Sequence, residues 1–303
     1  MTLIISNCSK RKRAPLDPQL HAGALATGSA AAVAIAWGER LRVAHPTTLA
    51  KDLYAGRAFH EATFTANTLG ARLAIVSAGL GLVDGAVSVP CYSLTTARRD
   101  QDDILAKTGS SASEWWASLQ MQSPFHTTSV DEEEGLILAA LSSSYIAMVA
   151  DEWAQWPAER KARLRLFTKE EPQGVADDLR KAWMPYDDRL DSIGNGHAGT
   201  QSDFAQRALR HFATTIFDNG ALEQDRADVQ RSLQGLKARE VPTRTRSTDD
   251  EIQALIVAEW DAVDGRSGAM LRRLRDTLGV ACEQSRFKRL FGLVAAEAKG
   301  NAQ

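Results

Sequence analysis

The chain has 303 residues, 44% of them hydrophobic and 24% charged, an ordinary globular composition with enough apolar residues for a proper core. Its length exceeds that of one average domain, so we expect a main domain with a smaller appended one. The net charge of −2 is unevenly distributed, because residues 265–299 hold eight Lys and Arg against three Asp and Glu, a local +5 that leaves −7 elsewhere. Basic charge is therefore concentrated near the C-terminus.

Cysteine usage and hydropathy indicate a cytoplasmic protein. Cys8, Cys91 and Cys282 lack CxxC and CxxH spacing, which argues against a zinc site and against a disulfide framework. No stretch is long and apolar enough to span a bilayer, and the basic run Lys10–Arg13 follows a hydrophobic strand, unlike the order in a signal peptide. We expect no membrane partner, no cofactor and no metal, while the oligomeric state stays open.

An apolar run at the start of the chain ends abruptly in small polar and basic residues, in Thr2-Leu-Ile-Ile-Ser-Asn-Cys-Ser-Lys-Arg-Lys-Arg13. A short apolar run without alternation is typical of a strand buried on both faces, as in a parallel sheet. Ligands of such sheets bind beyond the carboxyl ends of the strands, so residues 7–10 are predicted to lie where chemistry is done. The alternative is an N-terminal strand followed by a solvated basic tail.

A helical region, a second strand and a glycine-rich loop follow. Residues 21–44 are rich in Ala and predict a first helix, and Arg72-Leu-Ala-Ile-Val-Ser77 predicts the second strand. Glycines in the next loop, Ser77-Ala-Gly-Leu-Gly-Leu-Val-Asp-Gly85, would let backbone N–H groups approach a ligand closely. The GxGxxxG spacing is one residue longer than the dinucleotide fingerprint, so the loop does not indicate an NAD site.

Two further strands complete the predicted sheet. Tyr145-Ile-Ala-Met-Val-Ala150 and Leu164-Arg-Leu-Phe167 are assigned as the third and fourth strands, after a long irregular region at residues 86–135 of the kind that shapes a site. The sequence thus predicts an α/β fold over residues 1–240, with a small four-stranded, mainly parallel sheet in an α/β/α sandwich. An additional C-terminal helical domain is predicted over residues 249–303.

Four sequence blocks resemble those of a bacterial and phage protein family. The blocks are Ile5-Ser-Asn-Cys-Ser-Lys-Arg-Lys12, Asp52-Leu-Tyr-Ala-Gly-Arg-Ala-Phe59, Ile75-Val-Ser-Ala-Gly-Leu-Gly-Leu-Val83 and Pro90-Cys-Tyr92. The layout of the family is Cys-Ser-Lys-x-Lys, then Leu-Tyr-x-Gly-x-x-Phe, then Ser-Ala-x-x-Gly-Leu followed by Pro-x-Tyr. The blocks occur here in that order within residues 1–95.

The resemblance implies a uracil-DNA-glycosylase-like α/β fold, to which the core domain of archaeosine synthase is also similar. It further suggests the phage-defence DNA glycosylases that remove glucosylated hydroxymethylcytosine from phage DNA. The water-activating Gly-Gln-Asp-Pro-Tyr-His block and the His-Pro-Ser block of true uracil glycosylases are absent from the sequence. Uracil as the substrate, and the catalytic residues of those enzymes, are therefore not carried over.

A second group of polar residues is predicted on a single helix. Asp203, Arg207, His211 and Asp218 are spaced by four, four and seven positions, which predicts one shared helical face. A site at the carboxyl edge of the sheet needs carboxylates and a cation, and this face would supply both. The alternative is an exposed ladder of charges that only stabilises the helix.

The basic segment near the C-terminus is predicted to be a helical DNA-binding domain. A flexible basic linker, Val241–Thr248, precedes three helical segments, Asp249–Val263, Ala269–Leu278 and Ala281–Lys299. The short turn between the last two segments is typical of a helix-turn-helix, although Arg275 stands where that motif usually has a small residue. A three-helix bundle with a basic surface is the alternative, and either structure would present cations to a phosphate backbone.

The predicted function is that of a DNA glycosylase, which flips a modified base out of double-stranded DNA and hydrolyses its N-glycosidic bond to leave an abasic site. The bond breaks through an oxocarbenium-like sugar, so a carboxylate must stabilise positive charge or orient water, and Asp218 is the first candidate. Asn7 could read the base edge or support its departure, and His211 could contact phosphate or the leaving group. The alternatives are a small-molecule enzyme acting on nucleotides or nucleosides and a non-enzymatic DNA-binding stress protein.

Two further groups of site residues are predicted, from the strand ends with the polar helix and from the basic segments. The substrate-binding group is Cys8, Ser9, Lys10, Tyr54, Ser77, Gly79, Tyr92, Asp203 and Arg207. The DNA-binding group is Lys12, Arg272, Arg273, Arg286 and Arg289.

Overall fold

The apolar run at the start of the chain forms a buried central strand, β1 (Leu3–Asn7), in which Leu3, Ile4 and Ile5 are 0% exposed. Successive side chains of a strand point to opposite faces, so a run with no polar residue at alternate positions is buried on both faces of the sheet. The computed structural model of the protein describes residues 1–98, 100–127, 134–194, 196–238 and 243–300. It divides the chain into two units, Met1–Arg239 and Glu240–Gln303.

The first unit contains a five-stranded sheet and a small two-stranded one. Its strands are β1, β2 (Thr48–Leu49), β3 (Arg72–Ser77), β4 (Gly81–Asp84), β5 (Ser88–Val89), β6 (Ile137–Ala140) and β7 (Leu164–Phe167). The order in the large sheet is β4-β3-β1-β6-β7, with β4 antiparallel to β3 and the other neighbours parallel. Strands β2 and β5 form an antiparallel pair. The predicted α/β class with a mainly parallel sheet is confirmed, whereas the prediction of four strands is wrong.

The fifth strand comes from the glycine-rich loop. Ser77 pairs with Gly81 across a tight reversal from β3 into β4, and Gly81 has a φ of 83°, which glycine adopts without strain. The glycine-rich segment that follows Ser77 was predicted to form a ligand-approaching loop, although Leu82 and Val83 are buried strand residues. The segment predicted as a loop therefore contains β4, an edge strand of the sheet.

The helices of the first unit lie between and after these strands. They are α1 (Ala30–Val43), α2 (Ala50–Leu53), α3 (Arg57–Leu69), α4 (Ile104–Thr108), α5 (Ala112–Gln122), α6 (Ser143–Ala154), α7 (Ala158–Ala162), α8 (Asp177–Lys181), α9 (Phe204–Thr215) and α10 (Leu222–Ser232). Helix α9 packs against α3, β6 and β7, while α5 packs against α1 and α6. The indole nitrogens of Trp37 in α1 and Trp115 in α5 donate to the carbonyl oxygens of Gly79 and Ala78, at 2.6 and 2.8 Å. These bonds fix both helices to the end of β3.

The predicted third strand at residues 145–150 is wrong, because this segment belongs to helix α6. Ile146, Val149 and Trp153 are buried whereas Ala147 is exposed, which is the stripe of an amphipathic helix. The strand at this place in the sheet is β6, whose four residues are all buried between β1 and β7. A short apolar run fits a buried strand or a buried helix, so periodicity alone did not separate them.

The second unit has its own apolar core under a set of short helices. Its elements are β8 (Thr245–Arg246), α11 (Asp249–Ala258), α12 (Ser267–Arg272), a π-helical turn (Arg273–Thr277), β9 (Val280–Ala281) and α13 (Gln284–Gly300). Thr248 starts α11 with a capping box, in which its hydroxyl accepts from the Glu251 N–H at 3.2 Å and its own N–H donates to the Glu251 carboxylate at 2.8 Å. Strands β8 and β9 pair in parallel, so part of the segment predicted as a flexible linker is a strand.

None of the helices in the described parts of the chain is both long and apolar enough to cross a membrane.

Candidate functional site

The sheet is built outward from β1 in both directions, so a topological switch point lies at the end of this strand. The next strand of the sheet, β3, lies on one side of β1, and the later strand β6 lies on the other. In open α/β sheets, ligands bind in the crevice beyond the carboxyl ends of the strands at such a switch point. Asn7 is the last residue of β1 and is half-buried at this position.

A cavity of about 210 Å³ lies at the switch point, lined by strand ends and by the start of α9. Six of its lining residues carry the site: Asn7, Ser142, Ser143, Thr168, Glu170 and Gln206. A second cavity of about 430 Å³ also touches Ser143, Thr168 and Glu170 and extends along α6 to residues 171–175. The two cavities therefore adjoin, and we call them the edge cavities. The larger one has the volume of an ordinary small-ligand site.

The side chain of Asn7 is fixed by three hydrogen bonds. Its Oδ1 accepts from the Ser142 N–H at 3.3 Å and from Gln206 Nε2 at 3.2 Å, and its Nδ2 donates to the Cys8 carbonyl oxygen at 3.0 Å. Because Nδ2 carries two hydrogens, a second N–H remains for a ligand. An amide that is fixed in place and has one unused N–H donor is suited to recognising a hydrogen-bond acceptor on a ligand.

Gln206 joins α9 to the ends of β1 and β6. Its Nε2 lies 3.2 Å from both Ser6 Oγ and Asn7 Oδ1, and 3.0 Å from the Ala140 carbonyl oxygen. The residue is 2% exposed. The orientation of Asn7 thus depends on the packing of α9. Gln206 was not among the predicted site residues, since a glutamine among helical residues gives no local signal of its partners.

The start of helix α6 lies at the same cavity. Ser142, Ser143 and Ser144 stand at the junction of β6 and α6, and the hydroxyl oxygens of Ser142 and Ser144 lie 3.1 Å apart. The first N–H groups of a helix lack partners within it, and its positive dipole end favours negative charge. These serines were not predicted as site residues because a strand was placed directly after them. The apolar run Leu136–Leu141 followed by serines is a strand and helix-start signal that could have located them.

Glu170 supplies a carboxylate to both edge cavities. It is exposed and lies three positions after the end of β7. The neighbouring Lys169 pairs with Asp188 at 3.1 Å, and Glu171 lies 4.0 Å from Arg180. Glu170 itself forms no ion pair within the described residues, so its charge is available to a ligand.

A buried group of hydroxyls and a thiol lies beside the carboxyl ends of β1 and β3. The Tyr92 hydroxyl lies 2.6 Å from Ser77 Oγ and 3.1 Å from the Tyr54 hydroxyl, and the Cys8 sulfur lies 3.0 Å from the Tyr145 hydroxyl. Burial raises the pKa of each of these three tyrosines, so all stay protonated. We call these five residues the tyrosine cluster. Ser77, Tyr92 and Tyr54 bond one another and Cys8 bonds Tyr145, so the side chains of the predicted binding residues Cys8, Tyr54, Ser77 and Tyr92 have partners within the protein.

Lys12 covers the tyrosine cluster from the solvent side. Its Nζ lies 4.2 Å from the ring centroid of Tyr92 and 5.9 Å from that of Tyr54. Burial lowers the pKa of Lys12, and no carboxylate among the described residues forms an ion pair with it. The contact with the ring faces only partly offsets the desolvation of the ammonium group.

The remaining predicted residues of the first loop have local roles. The Ser9 hydroxyl lies 2.7 Å from the carbonyl oxygens of Arg11 and Ala55, and the exposed Lys10 pairs with Asp100. Gly79 packs so closely that an added Cβ would lie 2.4 Å from the Tyr92 ring. None of the three lines the edge cavities as described.

Asp203 and Arg207 form an internal clamp. Arg207 is 1% exposed, and its guanidinium bonds Asp203 and Asp191, each at 2.7 Å, and the carbonyl oxygens of His197 and Thr200. The clamp closes the loop that precedes α9. Both residues were predicted to bind substrate, but their polar atoms are already engaged, and the rival expectation of an exposed ladder fails because both are buried.

His211 lies inside the protein and away from the edge cavities. Its Nδ1 lies 2.8 Å from the Tyr186 hydroxyl, and the residue is 3% exposed. Burial, and then the neighbouring His197, lower the pKa of His211 to about 4. His211 is therefore neutral near pH 7, and it does not line either edge cavity.

Asp218 does not share a face with the other three residues, because helix α9 ends at Thr215. Its Oδ1 accepts from the Gly220 N–H at 2.8 Å in a local turn, and the Gly220 carbonyl oxygen accepts from Arg165 at 2.9 Å. Arg165 is aligned with Leu138 in the sheet, two residues before the end of β6. The predicted single face is thus wrong, and Asp218 belongs to the turn that follows α9.

The predicted DNA-binding arginines of the second unit are mostly paired. Arg286 and Arg289 both bond Asp249, and Arg273 pairs with Glu259. Arg272 is exposed at the end of α12.

Within the described residues, no three His, Cys, Asp or Glu side chains converge to hold a metal ion. No protein-family model, curated protein or solved structure matches the chain. The function is therefore argued from the site alone.

Proposed function

We propose that the protein is a DNA glycosylase that accepts a flipped, modified base in the edge cavities and hydrolyses its N-glycosidic bond. The observation that carries this proposal is one cavity, at the switch point of the sheet, on which the held amide of Asn7, the start of helix α6 and the carboxylate of Glu170 converge. Base recognition, stabilisation of a leaving anion and stabilisation of a sugar cation need these three kinds of group.

Each group has a defined part in the hydrolysis. The spare N–H of Asn7 donates to an acceptor on the base edge. When the C1′–N bond breaks, the base leaves with the electron pair, and the start of α6 stabilises its developing negative charge. The ionised Glu170 stabilises the positive charge on the sugar and takes a proton from the water whose oxygen bonds to C1′. Glu170 thus replaces Asp218, the carboxylate that the sequence pattern favoured.

The arrangement of helices around the mainly parallel sheet supports a uracil-DNA-glycosylase-like sandwich. The second edge cavity adds about 430 Å³ next to the first, which leaves room for a bulky substituent on the base. Glucosylated hydroxymethylcytosine, the substrate class that the sequence resemblance suggests, carries such a substituent. Asp151 and Glu171 offer acceptors for its hydroxyl groups.

The test is single-turnover excision by the full chain on duplexes that carry one glucosylated hydroxymethylcytosine, hydroxymethylcytosine, uracil or unmodified cytosine. Abasic sites are detected by alkaline cleavage of the strand. We expect excision of the glucosylated base, and a loss of at least about 10²-fold in Glu170→Gln, the usual scale for a general acid–base group. Glu223→Gln removes an 86% exposed carboxylate on α10 and is the matched control. Asp218→Asn should also excise at the wild-type rate.

A wild-type rate in Glu170→Gln would remove this carboxylate from the mechanism. Absence of abasic sites on every duplex would reject the glycosylase. Cleavage of the corresponding free nucleosides in the same samples would instead support the nucleoside-processing alternative.

A further inference from the structure

The second unit contains an open groove of about 570 Å³, and four of its eight lining residues are arginines. It lies beside the β8–β9 pair and the start of α13. Its charged lining residues are Arg244, Arg246, Arg275, Arg286 and Glu283. We call it the arginine groove.

Two of the four arginines have carboxylate partners. Arg244 bonds Asp276 at 2.9 Å, and Arg286 bonds Asp249 at 2.7 Å. Arg244 has Asp276 to itself, whereas Arg286 shares Asp249 with Arg289. Both guanidinium groups are thus held by carboxylates of the unit.

The other two arginines carry charge that the described residues do not balance with a carboxylate. Arg275 donates from Nε and Nη2 to the Cys282 carbonyl oxygen, at 3.0 and 2.7 Å, so its guanidinium is fixed by a neutral group. Arg246 is exposed on β8, in register with Ala281 of β9. Glu283, the one acidic lining residue, accepts a hydrogen bond from the Ser285 hydroxyl at 2.8 Å.

This arrangement suits an anion of fixed geometry. A guanidinium stays charged at all physiological pH values, and its planar fork matches two phosphate oxygens. Arg275 is already held in place, so binding costs it little conformational entropy. The openness of the groove fits a chain that runs along the surface.

We propose that the arginine groove binds a phosphate of the DNA backbone, with Arg246 and Arg275 as the contacting residues. The inference rests on the proposed function insofar as that function makes DNA the partner. Neither Arg246 nor Arg275 was among the predicted DNA-binding residues, which are Lys12, Arg272, Arg273, Arg286 and Arg289. Sequence-independent contacts of this kind place the duplex without reading its bases.

The experiment measures binding of the full chain to an unmodified, fluorescein-labelled duplex by anisotropy, at salt concentrations from about 50 to 200 mM. Arg246→Gln should weaken binding several-fold and reduce the slope of log K against log salt by about 0.9, the value for one lost phosphate contact. Arg246→Glu should weaken it further. Arg275→Lys keeps the charge but loses the fork, and should also weaken binding. Lys288→Gln, at an exposed position of α13 outside the groove, should bind as wild type does.

Wild-type affinity and salt slope in both Arg246 variants would overturn the proposal, as would an equal loss in Lys288→Gln. The side chain of Arg246 is exposed and forms no hydrogen bond or ion pair with the other described residues, so its variants should fold. They therefore test the proposal even if Arg275→Lys fails to fold. The excision assay on the same samples separates the two proposals. Weakened binding in the Arg246 variants without excision by the wild type supports the groove alone, whereas excision with unchanged binding in those variants supports the glycosylase alone.

Discussion

The side-chain amide of Gln206 donates to Asn7 Oδ1 across 3.2 Å and joins helix α9 to the last residue of strand β1. The same nitrogen reaches the end of β6 through the Ala140 carbonyl oxygen at 3.0 Å. One buried amide thereby sets the position of the residue that we assign to base recognition.

Replacing Gln206 should uncouple α9 from the site. Gln206→Met keeps a similar volume but leaves the Ala140 carbonyl without this donor, which should cost about 1–3 kcal/mol of unfolding free energy. Urea denaturation measures this loss. Because Asn7 would lose one of the three hydrogen bonds that orient it while the cavity persists, kcat for excision should fall by a larger factor than KM rises. Gln224→Met, on the exposed surface of α10, should change stability by less than about 0.5 kcal/mol.

Gly79→Ala should destabilise the first unit through a clash. The added Cβ would lie 2.4 Å from a ring carbon of Tyr92, and the ring is held by its hydrogen bonds to Ser77 and Tyr54. Overpacking of this kind costs about 1–3 kcal/mol or more. Gly28→Ala is the control, since its Cβ would meet the nearest atom at an ordinary 3.7 Å. If the clash is the cause, Gly79→Ala should cost less unfolding free energy in a Tyr92→Leu background, where the ring is absent. Strictly additive losses in the double variant would contradict the clash.

His211 should make stability depend on pH. Its pKa is about 4 in the folded protein against the ordinary histidine value of 6.5, so between these values the unfolded chain binds more protons. The contribution of His211 is therefore present above about pH 6.5 and is lost as the pH falls toward 4, by about 3 kcal/mol in total. Between pH 7 and pH 4, the unfolding free energy of His211→Gln, measured by urea titration, should fall by about 3 kcal/mol less than that of the wild type. His60→Gln, at an exposed position of α3, should keep the wild-type slope.

Lys12 should lower the stability of the folded protein. Burial lowers the pKa of Lys12 in the folded protein, so the unfolded chain binds the proton more tightly, and the penalty is present below the folded pKa. Lys12→Met should match or exceed the wild-type free energy of unfolding at pH 7, with the difference shrinking as the pH rises and absent above the ordinary lysine pKa of about 10. A loss of stability in Lys12→Met would show that the contact with the Tyr92 ring outweighs desolvation.

Local sequence pattern was enough to identify several elements of the fold. Strands β1, β3 and β7 followed from short apolar runs, and the position of Asn7 followed from the end of the first run. These features depend on which side chains avoid water and on turn chemistry within a few residues. The third strand was misplaced because an apolar run of six residues satisfies the burial of both a helix and a strand.

Tertiary structure decided which polar residues meet. Asn7 and Gln206 are 199 positions apart, and Lys12, Tyr54 and Tyr92 come together from three separate segments. Asp203 and Arg207 have the spacing of a shared helical face, but they are buried and bond each other. Helix α9 ends at Thr215, so Asp218 lies in the turn that follows. A hydrogen bond forms only between groups that the packed chain brings within about 3 Å, and no local pattern records that distance. The sequence by itself therefore determined the strands and their ends, and the packing of helices on the sheet decided which of those ends became the site.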